Sequence, residues 1–176
     1  LTPEQEKQVG FVRKAAQDLT ELVNDLLDLA NVEAGKTVVR PVAVEIKNLF
    51  GALRGMLRPL LVTDTVRLVF EDEDALPEMY SDEAKISQIL RNFISNALKF
   101  TERGEIRVTA TVAEEGRRVV FSVADTGIGI APEDQERIFS EFGQVENPLQ
   151  RRFKGTGLGL ALSRKLAELL GKRIDP

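Results

Sequence analysis

The chain runs to 176 residues, 43% hydrophobic and 30% charged, with a formal net charge of −4. That suits one generous folded domain, or a compact domain with an appendage, and excludes a disordered chain. The acidic balance gives no support for a nucleic-acid or anionic-membrane surface, and without cysteine there is neither a disulfide framework nor a thiolate metal site.

The opening LTPEQEKQ lacks a basic region followed by an apolar stretch, so it does not read as a signal peptide. No apolar run approaches the roughly 18 residues of a membrane span. Val9, Val12, Ala16, Leu19, Val23, Leu26 and Ala30 then recur at spacings of three and four, the seam of a helix packed on other helices. Leu22, Leu27 and Leu29 widen the stripe as a four-helix bundle would. Thr2 and Pro3 give a start signal and Gly35 a stop. A helix of about 30 residues is ~45 Å long, too long to lie within a small globule, so it reads as an arm.

After Gly35, Val38, Val42 and Val44 suggest a short strand, and IKNLFGALRGMLRPLL a helix stopping near Pro59. Residues 67–71 alternate as a strand with Leu68 and Phe70 on one face, and Asp82 caps a helix through KISQILRNFISNALKF. Two strands follow, one placing Ile106, Val108, Ala110 and Val112 on a face and the other Val119, Phe121 and Val123, with EEG turning between them. Residues 125–156 read as irregular, and a last helix runs from about Leu158 to Leu170. This order predicts an α+β layer of helices on a largely antiparallel sheet, preceded by a helical arm.

Four stretches could carry chemistry. ANVEAGKT, residues 30–37, nearly matches a phosphate loop, but a helix precedes it and a strand follows, the reverse of what such a loop needs. Gly35 therefore reads as a helix C-cap. Asn92 and Asn96 stand one turn apart on an otherwise apolar helix, with Lys99 and Phe100 a turn further on. Their neutral amide oxygens suit Mg²⁺ that borrows phosphate oxygens; they equally suit buried amides that tie the helix to a neighbouring loop. In DTGIGI a carboxylate, Asp125, ends a strand ahead of Gly127 and Gly129, offering an acceptor for the amino hydrogens of adenine; an ordinary turn would look the same. In GTGLG the glycines at 155, 157 and 159 precede a helix and follow Arg151, Arg152 and Lys154, which fits an anion site at a helix mouth or a flexible linker.

Taken together, NFISNALKFT, DTGIGI, FSEFGQ and GTGLGL resemble, in order and spacing, the N, G1, F and G2 boxes of sensor histidine kinases, members of the Bergerat or GHKL ATPase fold. LTPEQ and the helix ending DLLDLANVEAGK look like the hairpin and second helix of that family's dimerization domain. The resemblance covers nearly the whole chain. It implies an α+β fold, a two-layer α/β sandwich behind a long N-terminal helix, divided into residues 1–35, the second helix of the phosphoacceptor hairpin, and residues 36–176, the ATP-binding catalytic domain.

The resemblance also implies roles. Asn96, with Asn92 beside it, would hold Mg²⁺; Lys99 would contact phosphate. Asp125 would bind the adenine amino group, with Phe100 and Ile130 near the base. Gly127 and Gly129 would let the chain close on the nucleotide. Phe139 and Phe142 would anchor a mobile lid from about residue 133 to 154, with Arg151 near the phosphates. Gly155, Thr156, Gly157, Leu158 and Gly159 would form the phosphate site. Hydrolytic members such as gyrase carry a glutamate where this chain has Asn92, which cannot accept a proton, so the pattern implies transfer of the γ-phosphoryl of ATP to a protein rather than rapid hydrolysis.

The implied partners are ATP, a response regulator receiver domain and a second copy of the chain through the helical hairpin, in a cytoplasmic setting without nucleic acid. Two features depart from the family pattern. Histidine is absent throughout, so the acceptor must lie on an upstream helix outside this chain, and the strands expected after the last helix do not follow GKRIDP. The alternatives are an anti-sigma-type serine kinase, which shares the nucleotide boxes but lacks a long helical arm, and a nucleotide-sensing docking module without kinase activity.

Overall fold

The computed structural model describes residues 1–61, 65–72, 76–114, 118–143 and 156–174. Helix α1, Pro3–Glu33, opens with a capping box: Thr2 Oγ1 accepts from the Gln5 amide at 3.3 Å and Gln5 Oε1 accepts from the Thr2 amide at 2.9 Å. It ends before Gly35, whose φ of 64° turns the chain away. Residues 30–37 thus close a helix, and no second helix opens there as a phosphate loop would need.

Of the residues of α1 only Leu29 is buried; Val9, Val12, Leu19, Val23 and Leu26 of the seam are exposed. The helix is an arm, as its length predicts. Its last turns nonetheless meet the body, where Leu29, with Leu22 and Val32, packs on Leu158, Leu162 and Leu166. Of the residues that widen the seam, Leu22 and Leu29 thus face inward, whereas Leu27 is exposed with the seam itself.

The body consists of β1 (Val42–Val44), α2 (Ile46–Leu57), β2 (Val66–Asp72), β3 (Met79–Ser81), α3 (Glu83–Phe100), β4 (Gly104–Ala113), β5 (Arg118–Asp125) and α4 (Gly159–Leu169). The main sheet has the order β2, β4, β5, and β1 pairs with β3 in a separate antiparallel ribbon. The pair β4 and β5 is antiparallel, but β2 runs parallel to β4, so the sheet is mixed rather than largely antiparallel. The reason is the crossover: the chain leaves β2, returns through α3 and enters β4 in the same direction, a connection only a helix-length segment allows.

One core joins the two layers. Leu49, Phe50, Leu53 and Leu57 from α2 and Ile86, Leu90 and Ile94 from α3 cover Phe70, Val108 and Ala110 of the sheet. The Phe50 ring lies 5.3 Å from Phe70, tilted, and 6.2 Å from Phe121, edge to face. The opposite face of the sheet carries an exposed charge ladder, Arg67 to Glu105 to Arg107 to Glu71. Helix α4 lies beside α3. Among the described residues no helix is long and apolar enough to cross a membrane.

Helix α3, which carries the asparagine pair, is fixed at its start by Asp82. Its carboxylate accepts from the Lys85 amide at 3.1 Å, the Lys85 ammonium at 2.7 Å and the Arg40 amide at 2.9 Å. Burial by itself would raise its pKa, but these donors together hold it below its ordinary 3.8. The cap thus ties α3 to the chain ahead of β1.

Candidate functional site

Three separate segments meet beside the C-terminal half of α3. Asn92, Asn96, Lys99 and Phe100 come from α3 itself, Asp125 from the end of β5, and Thr156, Gly157 and Gly159 from the start of α4; with Gly129 and Ile130 they border one broad, open cleft, which continues beyond them past Tyr80, Arg118 and Lys172. The periodicity of α3 turns Ile86, Leu90, Ile94 and Ala97 into the core and leaves the amide row on the cleft side.

Asn92 is already engaged. Its Nδ2 donates to the Gly159 carbonyl at 3.0 Å and to Ser163 Oγ at 3.1 Å, so this amide ties α3 to the first turn of α4. Asn96 is half-buried one turn further along the cleft wall. Lys99 follows, half-buried, with Nζ 5.4 Å from the centre of the Phe100 ring. Its pKa is lowered chiefly by burial, with the charge of Lys14 adding and those of Asp18 and Glu21 opposing. A cation kept from water in this way gains from a polyanion that enters beside it.

The loop after β5 is built around a close approach. Asp125 is exposed, and its Oδ1 accepts from the Gly127 amide at 2.8 Å. The Ile128 amide reaches the Phe100 carbonyl at 3.3 Å, stapling this loop to the end of α3. A side chain on Gly127 would place its Cβ 2.4 Å from the Phe100 carbonyl oxygen, so only glycine fits. Gly127 therefore sits behind Asp125 rather than on the cleft wall.

At the other end, Gly157 has a φ of 72° and lets the chain bend into α4. Leu158 points away from the cleft: it is fully buried with Leu162 and Leu166, and its amide is held by Thr156 Oγ1 at 3.3 Å. Arg151 and Gly155 lie outside the described residues, as does the second half of the expected lid, residues 144–154. Phe139 is buried under the Arg164 guanidinium, 4.4 Å from its ring centre. Phe142 instead is 60% exposed and anchors nothing among the described residues.

The far wall of the cleft belongs to α1, which sequence reasoning left unassigned to any site. Asp18, Glu21, Asp25 and Asp28 form an acidic stripe on it. Asp28 accepts from Gln88 of α3 at 2.9 Å, and Asp25 accepts from Thr156 at 3.4 Å. Burial raises the pKa of Asp25, Thr156 opposes this, and Asp28 and Glu21 raise it further. The stripe's spacing of three and four was visible in the sequence, but not the element it faces.

Among the described residues no cluster of three acidic or sulfur ligands could hold a metal alone. Neutral amides beside a lysine fit a different arrangement, in which Mg²⁺ takes one or two protein oxygens and the rest from phosphate and water.

Residues 81–176, more than half of the chain, match the family model described as histidine kinase-, DNA gyrase B-, and HSP90-like ATPase. The sensor protein GacS of Pseudomonas syringae pv. syringae is 36% identical over 180 residues, which cover 99% of this chain and 20% of GacS. The circadian input-output histidine kinase CikA of Synechococcus elongatus is 35% identical, over 99% of this chain and 23% of CikA. The crystal structure of full-length ShkA in complex with AMPPNP aligns with a TM-score of 0.81 at 37% identity, over 97% of this chain and 35% of ShkA. The chain spans about a fifth of the length of these curated relatives.

Proposed function

The chain belongs to the histidine kinase-, DNA gyrase B-, and HSP90-like ATPase family, as the ATP-binding catalytic domain of a sensor histidine kinase, and from that membership we propose how it works. It binds ATP with Mg²⁺ in the cleft between α3, the end of β5 and the start of α4, and presents the γ-phosphoryl to a histidine outside this chain. The observation that carries the reading is the convergence of Asn96, Asp125 and Gly157 on one cleft. The ShkA complex with AMPPNP supports an adenine nucleotide as the occupant.

The residues divide the work. Asp125 accepts from the adenine amino group, and Phe100, Gly129 and Ile130 flank the base. Lys99 meets the phosphates, which gain a partly desolvated cation. Thr156, Gly157 and Gly159 offer backbone at the mouth of α4, Arg151 and Gly155 add to the same phosphate site, and Leu158 anchors the segment in the core instead. Asn96 would hold Mg²⁺, with Asn92 beside it, whose nitrogen is already committed to the Gly159 carbonyl. When bound, Mg²⁺ neutralises charge on the phosphates. An amide at position 92 cannot take a proton from water, so the domain positions the phosphoryl group for transfer instead of hydrolysing it.

We place the boundary after Gly35. Residues 1–35 act as the second helix of a phosphoacceptor hairpin, whose exposed seam of Val9, Val12, Leu19, Val23 and Leu26 pairs within a homodimeric helical bundle. A response regulator receiver domain takes the phosphoryl group onward, in the cytoplasm. No observation favours the serine kinase or the docking module.

Calorimetry with Mg²⁺ tests the site. ATP binds and GTP binds far more weakly, and Asp125→Asn brings the two together by weakening ATP. Equal affinities in the unmodified chain would remove the role of Asp125.

A further inference from the structure

Thr101 ends α3 in extended backbone, directly after Phe100. It is 3% exposed, and its hydroxyl is buried with no hydrogen-bond partner among the described residues. A buried hydroxyl without a partner destabilises a fold, and a methyl group in its place would not. Its position suggests what the hydroxyl is for. The point where a Cβ on Gly127 would stand is 2.9 Å from Thr101 Oγ1 and 2.8 Å from Asp125 Oδ1, so hydroxyl and carboxylate converge on one small space that only glycine leaves open. In this arrangement Asp125 Oδ1 is taken up by the Gly127 amide.

Resting on the assignment of Asp125 to the adenine amino group, we infer that Thr101 is a positioning residue for base selection: its hydroxyl donates to the Asp125 carboxylate and holds it as an acceptor facing the base. The hydroxyl gains its partner as the carboxylate turns to the nucleotide, so its missing bond is restored in the bound state. A carboxylate fixed from behind by an O–H keeps its remaining lone pairs for the amino hydrogens of adenine and repels a carbonyl oxygen in the same place. Thr101 touches the nucleotide only through Asp125.

The test compares ATP with purine riboside triphosphate, which lacks the amino group, by calorimetry on the unmodified chain, Thr101→Val and Thr101→Ser. Valine lowers ATP affinity by about tenfold, the loss of one hydrogen bond to a charged group, and leaves the analogue unchanged; serine restores the preference. The unliganded Thr101→Val protein melts no lower than the parent, since the orphan hydroxyl is gone. Should valine crowd the site and prevent folding, Thr101→Ala carries the same expectation for the ATP-to-analogue ratio. An unchanged ratio in the valine or alanine variant, or equal weakening of both ligands, overturns the inference and leaves Thr101 as packing. An unmodified chain that binds neither ligand, or does not distinguish them, overturns the adenine site itself.

Discussion

At the scale of single residues, the site depends on how closely two backbones can approach. Gly127 lies against the Phe100 carbonyl, with Asp125 and Thr101 around it, and any Cβ would force the strand end away from α3. Gly127→Ala should cost about 1–3 kcal/mol of stability by overpacking and abolish measurable ATP binding, read by thermal melting and calorimetry. Wild-type affinity in that variant would mean that the loop can open without disturbing the site. DTGIGI made this glycine legible as a place where the chain bends, yet its cause is contact with α3, a residue pair 27 positions apart that no local pattern reveals. Leu158 went the other way: it reads as part of a phosphate loop, but its large apolar side chain is buried against α1 and α4.

At the scale of elements, α3 organises both the core and the cleft, and its N-terminal cap sets its register. Asp82→Ala should cost about 1–2 kcal/mol, as for other lost helix caps: the Arg40 and Lys85 amides lose their acceptor, while the Lys85 ammonium keeps the Val38 carbonyl. Because the folded-state pKa of Asp82 lies below the ordinary 3.8, its contribution is present above that value and lost as pH falls beneath it. Asp82→Asn should therefore flatten the acid limb of the stability curve, and an unchanged limb would remove Asp82 from that account. The cap, the helix periods and the hairpin alternation of β4 and β5 were all visible in the sequence, because each is a local pattern. The parallel pairing of β2 with β4 was not, since alternation is the same in either direction. Three-residue β3 was missed because Met79, Tyr80 and Ser81 show no β-branched alternation, unlike the equally short β1 with its Val42 and Val44.

On the scale of the whole molecule, one helix serves two surfaces. The apolar seam of α1 faces outward, while its acidic stripe faces Lys99 across the cleft and its lower turns pack on α4. Asp25 lies at that junction, raised above 3.8 mainly by burial. A carboxylate that favours its protonated form in the folded state weakens docking as pH climbs from its ordinary value through the raised one. Asp25→Asn should raise the melting temperature at neutral pH and remove that slope; a lower melting temperature would show that the ionised carboxylate holds Thr156 favourably instead. The sequence announced the arm through its length and the nucleotide boxes through their order. The closeness of α1 to the cleft stayed hidden, because which face of a long helix meets the body depends on tertiary packing.

If distant segments form one nucleotide cleft, amide NMR with Mg²⁺ and AMPPNP will report on all of them at once. A single saturable titration should shift the Asn96 side chain together with the backbone signals of Asp125, Gly127 and Gly157. Shifts confined to one of these segments, or separate titrations for each, would contradict a single cleft.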